Sequence, residues 1–134
     1  MTLLQRCPCQ SQDIQYESCC KRYHLGELAP TALTLMRSRY SAYVLGLEAY
    51  LLKTWHPSTR PKRIFETGEL QAGSNQIRWQ GLEILGFEEL SQEEARVEFI
   101  ARFAQRAKMG RLHELSYFVC EGGQWLYVEG KIKS

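Results

Sequence analysis

Val97-Glu98-Phe99-Ile100-Ala101-Arg102-Phe103 decides the reading of the chain, because apolar residues occupy every second position of it. Val97, Phe99, Ala101 and Phe103 fall on one side of an extended backbone, and Glu98, Ile100 and Arg102 fall on the other. This is a strand with one face buried. Working outward, residues 77–87, 112–120 and 124–131 read as further strands, and Gly122-Gly123 marks a hairpin turn before the last. Upstream the period changes. Thr31, after Pro30, is placed to cap a helix, and Leu33, Met36, Tyr40, Val44 and Leu47 recur at spacings of three and four. Gly46 ends or bends that helix. Residues 48–55 form a second one that stops around His56, because Pro57 disfavours helix in the residue before it. Pro57, Pro61, Gly68, Gly73, Ser74 and Asn75 make the next stretch a loop, with one short helical turn expected over residues 64–70. Helices followed by an antiparallel run of strands give the α+β class, a curved sheet wrapping one helix and leaving a concave face.

At 134 residues, 44% hydrophobic and 24% charged, the chain has the size and composition of one globular domain. It holds no apolar run near the ~18–20 residues a membrane span needs, and residues 1–6 lack the apolar stretch of a secretory signal. The expectation is a cytoplasmic protein with no membrane partner. A net charge of +2 does not by itself imply nucleic acid or membrane.

Cys7, Cys9, Cys19 and Cys20 crowd the first twenty residues, while Cys120 stands alone. In a reducing compartment such a cluster points to a metal before it points to disulfides, with two disulfides or metal-free thiols as the alternatives. Zinc is the expected ion: two close pairs supply four thiolates at about 2.3 Å, a closed shell that leaves no position for water or substrate. The role is then structural. Arg6, Lys21 and Arg22 flank the ligands and offset their net negative charge. His24 either replaces a cysteine or sits on the surface.

Any other chemistry would occupy the concave face. Arg37 shares a stripe with Leu33, Tyr40 and Val44, whereas Arg39 points the opposite way at about 100° per residue. A charge facing a core needs a partner, so Arg37 is expected to pair with Glu98 or Glu114. Trp55 and His56 stand at a helix end beside a loop, where His56 either acts as a general base or caps helix carbonyls. His113 and Glu114 are neighbours on a strand and point to opposite faces. Trp79, Trp125, Tyr117 and Tyr127 either stack on a flat ligand or fill the core. Cys120 is a nucleophile only with a base beside it, and otherwise a buried free thiol. The candidate pocket is Arg37, Tyr40, Trp55, His56, Arg102 and Glu114. The sequence has no Gly-rich phosphate loop, Ser-centred elbow or carboxylate-histidine cluster, so it neither requires nor rules out an enzyme.

Cys7-Pro8-Cys9, Ser11, Tyr16 and Cys19-Cys20 resemble the SEC-C zinc motif found at the end of the SecA translocation motor and in small bacterial proteins. The loop between Cys9 and Cys19 has nine residues, one more than usual, and Gln10 stands where a glycine is usual. Leu35-Met36-Arg37-Ser38-Arg39-Tyr40-Ser41-Ala42-Tyr43-Val44, Lys53-Thr54-Trp55-His56-Pro57-Ser58, Ala101-Arg102-Phe103 and Gly123-Gln124-Trp125-Leu126-Tyr127-Val128-Glu129-Gly130 resemble the YchJ-like bacterial family. The resemblance implies a SEC-C-like zinc motif over residues 1–24, joined to an NTF2-like, cystatin-like domain over residues 25–134. By analogy with the motor's tail it implies a non-enzymatic interaction module whose zinc knob meets a protein or ribonucleoprotein. The alternative is a small-molecule binding protein, or a hydrolase or isomerase, with a pocket built on Arg37, Trp55, His56 and Glu114. Charge placement adds a further option. Six basic residues between Arg37 and Arg63 face only Glu48, whereas eight acids between Glu66 and Glu98 face Arg78 and Arg96. The basic stretch either meets RNA phosphates or an acidic protein surface, or is a solvated face.

Overall fold

The computed structural model describes residues 6–9, 15–65 and 77–133. Its sheet is an antiparallel meander of β1 (Ile77–Glu89), β2 (Glu94–Gln105), β3 (Lys108–Glu121) and β4 (Gln124–Ile132), in that spatial order. The alternating stretch is the middle of β2, where Ala95, Val97, Phe99 and Ala101 are all buried. β3 starts four residues earlier than expected, at Lys108 rather than Leu112, because the β2–β3 hairpin runs past the core to a tight turn with Arg106 at φ 57°. Lys108 and Met109 are exposed there, so periodicity carries no signal. β1 has two register shifts, between Trp79 and Gly81 and between Ile84 and Gly86, and β3–β4 has one at Tyr117/Phe118. Such bulges add twist and bend a strand, which curls the sheet.

Three helices precede the sheet: α1 (Lys21–His24), α2 (Ala32–Leu45) and α3 (Glu48–Lys53). Thr31 caps α2 as expected, its Oγ1 accepting the Thr34 N–H at 3.1 Å, and Gly46 ends it in the left-handed conformation at φ 74°. α3 stops at Lys53, because the next residues leave the helix for β4. Trp55 bridges Tyr127 in parallel, the Tyr127 N–H donates to the Thr54 carbonyl at 2.9 Å, and the His56 N–H donates to the Tyr127 carbonyl at 2.7 Å. The Glu48 carboxylate accepts the N–H groups of Ile64 and Phe65 at 2.7 and 2.8 Å, fastening the loop to the start of α3. Beyond Phe65, the helical turn expected over residues 64–70 lies outside the described residues.

α2 differs from its expected one-sided stripe. Its buried residues are Ala32, Leu35, Met36, Ser38, Arg39, Tyr40, Ser41 and Ala42, while Val44 is exposed. The sheet covers one side of the helix and the N-terminal cysteine segment covers another, and a helix covered twice has no single apolar face. One core results. Leu35, Met36, Tyr40, Val97, Phe99, Phe118 and Trp125 cluster together with Cys7, Cys9 and Cys20. Among the described residues, no helix is long and apolar enough to cross a membrane.

Candidate functional site

An antiparallel bridge between Arg6 and Gln15 draws the two ends of the cysteine loop together. A 3-10 turn over Tyr16–Ser18 then delivers Cys19, whose N–H donates to the Tyr16 carbonyl at 3.0 Å, and Cys20 leads directly into α1. The four sulfurs lie within 4.8 Å of one another, with Cys9 to Cys19 at 3.6 Å and Cys19 to Cys20 at 4.0 Å. None is bridged in a disulfide. A tetrahedral metal bound by thiolates at about 2.3 Å requires sulfur–sulfur edges of about 3.8 Å, so the cluster has the size and donor set to hold a metal ion. Without a cation the thiols compete for one charge. Burial, then the neighbouring Cys9, push the Cys19 thiol up to about 12, and hydrogen bonds with Cys7 and Cys9 push Cys20 up as well. Cys7, bonded by Cys20 and Cys9, is pulled down. A divalent ion among the sulfurs removes that conflict by stabilising all four thiolates.

The cluster is packed against α2. Ser41 Oγ donates to Cys20 Sγ at 3.3 Å and lies 3.4 Å from Cys7 Sγ, and Arg37 Nη1 donates to the Cys9 carbonyl at 3.1 Å. His24 is neither a ligand nor a surface group. Its Nε2 bonds the Ser38 carbonyl at 2.8 Å, which makes Nε2 the protonated nitrogen and leaves Nδ1 to accept from the Tyr16 hydroxyl at 2.7 Å. These contacts answer a question the sequence leaves open: the cysteine motif is docked on the helix.

A cavity of about 220 Å³ lies between α2 and the concave face of the sheet. Met36, Trp79, Phe99, Ala101, Leu112 and Phe118 give it apolar walls, while Arg39, Glu114, Ser116, Tyr40, Tyr43 and Tyr127 bring polar groups. Of the residues expected in a pocket, Tyr40 and Glu114 line it. Four do not. Arg37 faces the cysteines, on the other side of α2. Trp55 stands behind Arg39, whose guanidinium carbon is 5.1 Å from the Trp55 ring centre and 4.7 Å from that of Tyr127. His56 bonds Ser58 at 2.8 Å and Glu121 at 3.0 Å, away from the cavity, and Arg102 is an exposed residue paired with Glu83 at 3.1 Å. The expected Arg37 ion pair is absent among the described residues: Glu98 meets His113 at 2.6 Å, and Glu114 accepts the Ser116 hydroxyl.

Arg39 is the residue sequence reasoning missed. It is 5% exposed, and Nη1 donates to both the Leu51 carbonyl and Thr54 Oγ1 at 2.7 Å. One signal was available: Ala32–Leu45 holds two arginines and no acid, which suits a helix covered on more than one side. Of the aromatics, Trp125 is core, Trp79 and Tyr127 face the cavity, and Tyr117 bonds Glu94. Cys120 is half-buried against the core. Half of the basic stretch is engaged internally, since Arg37, Arg39 and Arg60 each donate to a main-chain carbonyl.

Comparison with known proteins agrees with this architecture. Residues 31–130 match the family described as YchJ, middle NTF2-like domain. The UPF0225 protein of Bordetella pertussis is 46% identical over 130 residues, spanning 95% of this chain and 92% of that protein. The UPF0225 protein of Chromobacterium violaceum is 47% identical over 131 residues, spanning 94% and 92%. The solution structure of a SEC-C motif containing protein from Rhodopseudomonas palustris superposes with a TM-score of 0.80 at 31% identity, covering 97% of this chain and all 100% of that one. The crystal structure of a SEC-C motif containing protein from Psychrobacter arcticus gives 0.77 at 31% identity, covering 97% and 84%.

Proposed function

The chain belongs to the YchJ-like UPF0225 family, with a SEC-C motif and an NTF2-like domain, and from that premise we propose that it is a zinc-containing, non-enzymatic interaction module whose partner is a protein. The observation that carries the reading is the closed sulfur cluster docked on α2. Cys7, Cys9 and Cys20 are buried, so an ion held there is a structural staple with no open coordination position. Four thiolates at tetrahedral spacing select zinc among the abundant divalent ions, and bound zinc supplies folding free energy to a segment too short to build its own core.

The staple fixes a small surface. Directly after α1, Leu25 is 77% exposed and Leu28 is 54% exposed. Around them Lys21 pairs with Glu17 at 3.8 Å and Arg22 with Glu27 at 3.7 Å. Apolar side chains rimmed by charges that already have carboxylates suit a protein surface better than a run of phosphates. The ribonucleoprotein option weakens for the same reason. A bacterial cytoplasm would keep the thiols reduced for the metal.

The test is capture from bacterial lysate with zinc-loaded protein, after elemental analysis that should return one zinc per chain. Leu25→Asp/Leu28→Asp should lose the partner while keeping the zinc, and Cys19→Ser/Cys20→Ser should lose both. A partner retained by the leucine variant, or one released by ribonuclease, overturns the proposal.

A further inference from the structure

Arg39 is almost wholly buried, and no carboxylate lies within 4.0 Å of it among the described residues. Nη1 donates to two neutral oxygens, and the guanidinium also bonds the Tyr43 phenol, a third neutral partner. Two aromatic faces, Trp55 and Tyr127, add to its surroundings. Buried charges are ordinarily paired, and a guanidinium is shaped to take a carboxylate with two parallel bonds. Arg39 lines a cavity, so its missing anion has a place to sit.

Glu114, on β3, lines the same cavity, where its charge reaches Arg39 without contact, and it accepts one bond from the Ser116 hydroxyl through Oε2. A carboxylate accepts through both oxygens, so Glu114 can take a further donor. Between the two charges the walls are mostly aromatic, with Tyr40 and Tyr43 edge-on to Trp79 at 6.2 and 6.3 Å. Burial pushes the Tyr43 and Tyr127 phenols up, so both remain neutral. An apolar cavity of about 150 Å³ accommodates benzene. The 220 Å³ here is room for one ring with substituents.

We propose that this cavity binds a single-ring aromatic carboxylate bearing a hydrogen-bond donor on its far side, with the carboxylate on Arg39 and the donor on Glu114. Charge selects this class over its neighbours. A plain hydrocarbon leaves both ends unmet, a dianion is opposed by Glu114, and an aromatic amine lacking an acid group is opposed by Arg39. The inference is independent of the zinc staple and its partner.

The probes are benzoate, 4-hydroxybenzoate and benzylamine, titrated into the full zinc-loaded chain while tryptophan fluorescence and the resonances of Tyr40, Trp79 and Tyr127 are followed. 4-Hydroxybenzoate should bind saturably and about five-fold tighter than benzoate, the increment of one net hydrogen bond. Benzylamine should bind at least about ten-fold more weakly. Glu114→Gln should narrow the preference between the two acids and still admit benzoate, whereas Arg39→Gln should abolish binding of both. Should Arg39→Gln fail to fold, Ala101→Phe fills the cavity from the sheet side, leaves Arg39 untouched and must abolish binding. The proposal is overturned by the absence of saturable binding of either acid, by binding that survives Ala101→Phe, or by benzylamine binding as well as the acids.

Discussion

Phe103 lies across the bare Cα of Gly110 on the neighbouring strand, and a Cβ there would come within 2.7 Å of the ring. The ring has little room to retreat, since Trp79 is edge-on to it at 5.6 Å. Gly110→Ala should therefore cost about 1–3 kcal/mol, the usual penalty for overpacking, read from urea unfolding. A neutral substitution would mean that the ring yields freely. His24 makes a second residue-scale prediction. Burial lowers its pKa, outweighing the Ser38 carbonyl and the charge of Cys7, so the folded protein favours the neutral ring while the unfolded chain protonates near about 6.5. The stability it contributes is complete above that pH and is lost as pH falls through it toward the folded value. Melting temperatures measured at about pH 7.5 and 5.5 should fall further for the native chain than for His24→Gln; equal falls would refute this. Arg39 shows where residue-scale legibility ended. The sequence placed Arg37 and Arg39 on opposite faces of one helix correctly, but it could not tell which face met the sheet, because both are covered.

At the scale of elements, periodicity worked where one face meets the core and the other meets water. Residues 94–99 of β2 alternate in that way, although Ile100 beyond them is buried together with Phe99 and Ala101, and the same alternation separates His113 from Glu114. It failed where that asymmetry is missing, as at the exposed tip of the β2–β3 hairpin and in α2. The ends of α2 were legible for a different reason, since caps are local chemistry. Thr31→Ala removes the acceptor for the Thr34 N–H and should cost about 1 kcal/mol. Gly46→Ala places a Cβ at φ 74° and should cost about 1 kcal/mol. Chemical denaturation of the two single variants and the double variant checks both, and the costs should add, because the sites lie at opposite ends of the helix. The early stop of α3 could not be read locally: Thr54 and His56 are drawn off by hydrogen bonds to Tyr127, a residue some seventy positions away.

For the whole molecule, the cysteine motif and the sheet share one core, because Cys7, Cys9 and Cys20 pack in the cluster that holds Phe99 and Trp125. Loss of a structural metal should therefore be felt everywhere. Chelation is expected to remove several kcal/mol and lower the melting temperature by about 2–4 °C for each, in one transition seen alike by far-ultraviolet circular dichroism and tryptophan fluorescence. A sheet that melts unchanged after metal removal would contradict this. The cysteine cluster was legible because closely spaced thiols stand out by type and spacing, whereas the docking of their loop depends on Ser38, Ser41 and His24, ordinary residues that only tertiary structure brings together. The bulges of β1 have a consequence outside the molecule. Among the described residues β1 pairs with no strand but β2, so its other side is a sheet edge on which a second chain could add as a strand. The shifts at Trp79/Gly81 and Ile84/Gly86 break the even spacing such an addition needs. The same irregularities that curl the sheet thus guard its margin against aggregation.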